Sequence, residues 1–416
     1  MTEQEGRLSH AEEEILSDED SDEDRDEDRD EDRDEDRDED RDEDSDEDSN
    51  AYFNDFLVRH TLEERCITIQ WLPDVTRPEG EDYSLHRLLL GTYIGQDKQN
   101  YLLIGSVKVP HENHGCFNES ESDSWNTDIK INHQGEVNKV CYNPRNPCII
   151  GTYSSTGDVL VFDWTKQPSV PDPSGKCTPE LILKGHTQEG YGLAWNPIIN
   201  GHIISASDDT TICLWDVNTT PTQGGIIDAM TIFTNHISVV NDVSWHPSHR
   251  TMFGSVGDDK RLIIWDTRLA RTAHIVQSSN AEIYCLSFSP SREWTLATGS
   301  ADEHIGVWDV RNLNRKLYSV KTFLDANYQV HWSPHNEKLL ASCGTDKCLY
   351  VWDFTRTIED KSQLVDGICL ERDFEIYELS WSLNEPWLIS CVSDYGDVTI
   401  WKLAEHHYQQ SLHDER

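Results

Sequence analysis

Along residues 128–404, short apolar runs alternate with polar residues and are cut by Asp, Gly, Ser and Asn turns, a pattern of strands rather than helices. The runs recur with a fixed period. Six times an aromatic residue is followed 20 positions later by another: Tyr142/Phe162, Trp195/Trp215, Trp245/Trp265, Phe288/Trp308, Trp332/Trp352 and Trp381/Trp401. In five units the closing aromatic is followed by Asp163, Asp216, Asp266, Asp309 or Asp353, and in five the opening one precedes Pro144, Pro197, Pro247, Pro290 or Pro334 by two residues. Ahead of these units the pattern is irregular, with strands predicted at 67–71, 88–93 and 101–109. Phe53, Phe56, Leu57 and Leu62 fall near one face of a short helix predicted over 52–65.

A unit of this length ending in Trp-Asp is the mark of a β-propeller. Six regular units and one irregular unit predict seven blades, and four strands per blade close a ring without a long free edge. The expected fold is all-β: a seven-bladed WD40 propeller over 66–407, preceded by the short helix and by a disordered acidic tail at 1–50, and followed by a tail at 408–416. The N-terminal strands are expected to complete the sheet that the last repeat begins. Longer insertions fall at 120–128, 167–179, 218–230 and 356–374.

Charge adds a preference of partner. The 416 residues carry a formal charge of −43, and residues 1–50 hold 29 acids against 6 arginines. Within that tail, Asp-Glu-Asp-Arg repeats from Asp22 to Arg41, leaving no apolar face to bury. A solvated tail is the plain reading; a charged decoy for basic segments is the sharper one, and Ser17, Ser21 and Ser45 precede acids that suit an acid-directed kinase. The balance argues against direct nucleic-acid binding and for a basic protein partner. The 11 cysteines include no CxxC pair, and Cys141, Cys213, Cys285, Cys348 and Cys391 lie in strand-like runs, so they are read as reduced apolar fillers. No apolar run approaches membrane-spanning length.

Two registers are tied to the closing aromatic. Asp209, Asp259, Asp302 and Asp346 stand six residues before it, and His133, His186 and His236 stand 29 before it. In propellers of this type His, the turn Asp, a Ser or Thr and the Trp share a buried hydrogen-bonded chain. Its repetition argues for structure, because an active site occurs once. Ser279, Phe323 and Arg372 replace the His in the last three units, which are therefore expected to rely on packing. Three residues after the His register stand Glu136, Glu189, Val239, Glu282, Ala326 and Glu375; five after it stand Asn138, Tyr191, Asn241, Tyr284, Tyr328 and Tyr377. Positions two apart on a strand share a side, so both sets are expected to ring one mouth of the central channel. Carboxylates beside phenol faces suit a guanidinium or ammonium group.

At this point the chain resembles a known family. The stretches QWLPDVTRPEG (Gln70 to Gly80), HRLLLGT (His86 to Thr92), DPSGKC (Asp172 to Cys177), GHTQEGYGLAWNP (Gly185 to Pro197), SASDDTTICLWD (Ser205 to Asp216), WSPHNEKLLAS (Trp332 to Ser342) and NEPW (Asn384 to Trp387) resemble the retinoblastoma-associated histone-binding WD-repeat family. That family includes the small subunit of chromatin assembly factor. The resemblance implies a nuclear, cofactor-free scaffold, present as a single copy in chromatin assembly, histone deacetylase, nucleosome-remodelling or Polycomb complexes. It implies binding of the histone three tail at the acidic face, with Glu136, Asn138, Glu189, Tyr191 and Glu385 at matching positions. Asn241, Tyr284, Ala326 and Tyr328 depart from the family's residues. A second site for histone four is implied at Phe56, Leu57, Glu359, Asp360 and Asp366; it is expected to be weakened, because Glu64-Arg65 replace Trp-Pro and the loop lacks Pro-Pro.

A different class of function rests on Trp-Asp-x-Arg endings at Asp266/Arg268 and Asp309/Arg311, which match substrate receptors that dock on the adaptor of a cullin-type ubiquitin ligase. Enzyme motifs (GxSxG, HExxH, P-loop, GxGxxG) do not occur. His111, His114 and Cys116 have metal-ligand types, but three mixed residues in one loop are a weak signal.

Overall fold

The computed structural model describes residues 54–111, 124–269, 271–277, 280–322, 326–354, 368–369 and 375–403. They form seven separate sheets arranged as blades, antiparallel throughout except for one added strand. Counting from the N-terminus, the innermost strands are Cys66–Thr76, Val137–Asn143, Gly192–Trp195, Val240–Trp245, Ile283–Phe288, Asn327–Trp332 and Ile376–Trp381. Each packs against the next, and the seventh returns to the first, closing the ring. Blade two carries a fifth strand, Ile226–Asp228, which leaves the 218–230 insertion to pair in parallel with Leu181–Lys184.

Blade seven is completed from the other end of the chain. Asn54–Thr61 pairs antiparallel with Asp397–Leu403 as its outermost strand. This corrects the helix expected over 52–65. Val58 and Leu62 are buried with Trp71 and Leu388 between blades seven and one, and an open sheet edge offered a ladder of backbone bonds that an isolated helix could not match. Arg59 clamps the junction, its Nε and Nη2 lying 3.1 and 2.9 Å from Oδ2 of buried Asp397.

Each interface between neighbouring blades holds its own apolar cluster; that between blades three and four joins Ile204 and Leu214 to Val243, Trp245, Phe253 and Trp265. The paired aromatics divide the work. The opening Trp ties a blade to the one before: Trp195, Trp245 and Trp381 donate Nε1–H to the carbonyls of Cys141, Ala194 and His331, each at 3.1 Å. The closing Trp binds within its blade, Trp265, Trp308 and Trp352 donating to Ser255, Thr298 and Ser342 at 2.8, 3.0 and 2.7 Å.

The repeated His-Asp chain is complete in blade four, where His236 meets Asp259 at 2.9 Å and Ser255 at 2.7 Å, and Ser255 receives Trp265. In blade three His186 meets Asp209 and Ser205, but Trp215 donates to the Lys184 carbonyl. Burial alone would raise the Asp209 carboxyl; hydrogen bonds from His186, Thr211 and the Thr187 N–H outweigh it and hold the group below the carboxylate range. The cysteines at 141, 213, 285 and 391 are free and buried, whereas Cys348 departs from the reduced reading and is disulfide-bonded.

Replacing Ser255 by Ala strands two buried groups, the Trp265 Nε1–H that it accepts and the His236 Nε2 that it bonds, and should cost about 1–3 kcal/mol. Ser342→Ala, which strands only Trp352, should cost less; urea unfolding of the two variants makes the comparison. Amides in the inner strands of blades five to seven should exchange before those of blades three and four, read by hydrogen-exchange mass spectrometry.

Candidate functional site

The inner strands start at one mouth of the channel, and a β-bulge marks the start in six of the seven. Strand register shifts between Cys66 and Thr68, Val137 and Lys139, Val240 and Asp242, Ile283 and Cys285, Asn327 and Gln329, and Ile376 and Glu378. The residue at the shift is Ile67, Asn138, Asn241, Tyr284, Tyr328 or Tyr377. In blade three the strand begins just past Tyr191. A bulge re-aims its extra side chain, and all seven of these residues line one cavity of about 340 Å³.

The tyrosines form an arc. Tyr284 and Tyr328 meet edge-on at 6.1 Å, and Tyr328 stacks on Tyr377 at 6.1 Å with 7° between the planes. Burial, then the carboxylates of Glu282 and Asp258, push the Tyr284 phenol up to about 12; burial and Glu375 raise that of Tyr328. The rings therefore stay neutral and offer uncharged faces.

The glutamates expected beside them sit one step behind, because the bulge breaks the two-residue alternation. None of them lines the cavity. Asn138 donates to Glu189 at 3.0 Å, and the Tyr284 hydroxyl donates to Glu282 at 2.9 Å. Glu136 is buried and accepts the Gly95 N–H at 2.8 Å. Glu375 is half-buried before its strand.

A second register shares this end and adds three acids. Ser155, Asp208, Asp258, Ala301, Thr345 and Asp394 each donate a backbone N–H to the carbonyl of the residue nineteen positions earlier, namely Glu136, Glu189, Val239, Glu282, Ala326 and Glu375. Asp258 also accepts from Asn241 at 2.8 Å. Burial, then Glu189, Asp258 and Asp209, raise the Asp208 carboxyl above its ordinary range, a sign of crowded negative charge.

Deeper in the cavity lie Lys139, Asp242 and Glu378. Lys139 reaches Glu378, whose other oxygen accepts the Ile69 N–H at 3.0 Å. Burial works against the ammonium, but Glu378 and Asp242 prevail and Lys139 is held above the lysine range. Burial raises Asp242 to about 6 although Lys139 and the N–H groups of Leu286 and Val243 oppose it. The mouth also contains Arg65 and Tyr93. The repeat could not point to these two, because blade one lacks it; the nineteen-residue interval could have identified Asp208, Asp258 and Asp394.

The remaining candidates lie elsewhere. Glu385, expected on the ring, sits in the turn after the inner strand of blade seven, at the end away from Tyr377, beside Arg77 at 3.4 Å. Strand direction excludes it from the mouth. Asp266/Arg268 and Asp309/Arg311 are also at that far end, each arginine side chain exposed and folded onto its own aspartate at 2.5 and 2.7 Å. Phe56 and Leu57 belong to the closing strand, their backbones opposite Lys402 and Trp401. Glu359, Asp360, Asp366, His114 and Cys116 lie outside the described residues.

Asp242→Asn tests the buried cluster. With its folded pKa raised from 3.8 to about 6, Asp242 gives stability that is full below pH 4 and lost as pH rises through 6. The stability of the variant relative to the parent should therefore gain about 2–3 kcal/mol between pH 4 and pH 7 in urea titrations.

Two family models match the sequence. One, described as histone-binding protein RBBP4 or a CAF1 complex subunit, matches residues 42–111, which include the closing strand and the first three strands of blade one. The other, WD domain, G-beta repeat, matches 177–216, 228–266, 269–309 and 322–353. The first three of these repeat matches each take in the outer strand of one blade and the three inner strands of the next, so sequence repeats bridge blades. With a seven-bladed ring and these matches in hand, the chain belongs to the RBBP4-like family of histone-binding WD-repeat proteins.

Proposed function

We propose that this chain is a non-enzymatic scaffold that holds the basic N-terminal tail of histone three at the tyrosine-lined mouth. It would present that tail within chromatin assembly, deacetylase, remodelling or Polycomb complexes, and so work chiefly in the nucleus. Histone four is the weaker partner, since Glu64 and Arg65 stand where the family carries Trp-Pro.

One observation carries the reading: seven equivalent inner-strand positions converge on one cavity, four of them tyrosines, with carboxylates hydrogen-bonded behind them. A lysine or arginine side chain entering there meets neutral ring faces first and negative charge second. Each cation–π contact is worth about 0.5–2 kcal/mol, and each charge-assisted hydrogen bond about 1.5–3 kcal/mol. Docking on a ligase adaptor through Arg268 and Arg311 would use the far end and need not compete.

A calorimetric titration with a histone three tail peptide tests the site. Tyr328→Ala and Glu189→Gln should each weaken binding about 5- to 30-fold, while Arg268→Ala and Arg311→Ala leave it unchanged. Equal affinity in all four variants would remove the mouth as the binding site.

A further inference from the structure

Arg65 lies between the closing strand and the inner strand of blade one, and its side chain lines the mouth. Its guanidinium carbon is 5.4 Å from the ring centre of Tyr377 and 5.8 Å from that of Tyr93. Both distances are within reach of a cation–π attraction. Nη2 donates to the Tyr377 hydroxyl at 3.1 Å. Nε is buried without a hydrogen-bond partner, and the group makes no ion pair among the described residues.

This is a strange situation for an arginine in a chain of charge −43. Arginines that hold a fold together pair with carboxylates, as Arg59 does with Asp397. Arg65 instead faces phenol rings, with one nitrogen unsatisfied, where an incoming cation would be held. Its main chain is fixed: its carbonyl accepts the Tyr93 N–H at 2.7 Å, Glu64 beside it pairs with Lys130 at 2.6 Å, and a Cβ on Gly396 would come within 2.9 Å of its Cα. The side chain is anchored only by rings and one hydroxyl, so it can leave without disturbing the backbone.

We propose that Arg65 is a guanidinium ligand supplied by the protein itself, filling the subsite between Tyr93 and Tyr377. A basic tail then gains that part of the cage only by displacing it. The site accordingly selects for tails whose cations can outcompete a tethered one, and its affinity is set below what the phenols alone would give. The consequence for tails rests on the function proposed above; the occupied subsite does not.

Methylguanidinium is the probe that separates the two. In saturation-transfer NMR it should bind Arg65→Ala and Arg65→Gln at least about tenfold more tightly than the parent, with thermal melts checking that both variants fold. Equal binding by all three chains, or binding by none, overturns the proposal. The histone three tail peptide should in turn bind Arg65→Ala about tenfold more tightly than the parent. Weaker binding would make Arg65 a contact of the tail and overturn displacement. Methylguanidinium binding confined to the variants, with no peptide bound by any chain, would uphold the occupied subsite and sink the tail reading.

Discussion

The antiparallel pairing of Asn54–Thr61 with Asp397–Leu403 is the contact on which the ring and its mouth both depend. Apolar burial is distributed over separate interfaces, so no central core holds the molecule if the circle opens. Without the closing strand, blade seven would expose a long edge of unpaired N–H and C=O groups. The same pairing positions the site. Leu62 donates its N–H to the carbonyl of Gly396, and Gly396, at a φ of 85°, sits too close to Arg65 to carry a side chain. Closure of the ring therefore delivers Arg65 to the tyrosine arc.

The bulges explain how a regular fold makes an irregular surface. Within a flat strand, residues two apart would face the channel together. Here the extra residue turns inward, and the glutamate two positions before it is left to brace the ring from behind. A first layer of neutral rings and amides thus faces the ligand, and a second layer supplies charge. Crowding four glutamates directly around an opening would have cost more repulsion; set back, with Glu136, Glu189 and Glu282 hydrogen-bonded, they keep their field at a smaller penalty.

This division also sets what could be read from the chain. The 20-residue aromatic interval located six blades because the closing aromatic, from Phe162 to Trp401, is buried at the same place in each, and at Trp265, Trp308 and Trp352 a Ser or Thr receives its indole N–H. The inner-strand positions from Asn138 to Tyr377 followed from the same count. The helix over 52–65 did not survive, because the edge of Asp397–Leu403 decided the conformation and no local pattern encodes a partner more than 300 residues away. Glu385 matched a motif but not a strand direction. Lys139, Asp242 and Glu378 were missed for a different reason: each is one residue past a bulge, where alternation gives the wrong face.

The two ends of the channel are chemically unlike. At the mouth, tyrosines, amides and set-back acids surround one tethered arginine. At the far end, Arg268 and Arg311 stand exposed on their own aspartates. An acidic mouth in an acidic protein risks holding any polycation, since long-range attraction does not discriminate. A resident guanidinium counters that risk. It leaves the outer field of Asp208, Asp258 and Asp394 intact for steering, yet demands that a bound segment place a side chain well enough to replace Arg65. Selectivity then comes from a local exchange of one cation for another, and a poorly shaped basic chain gains attraction without gaining the cage.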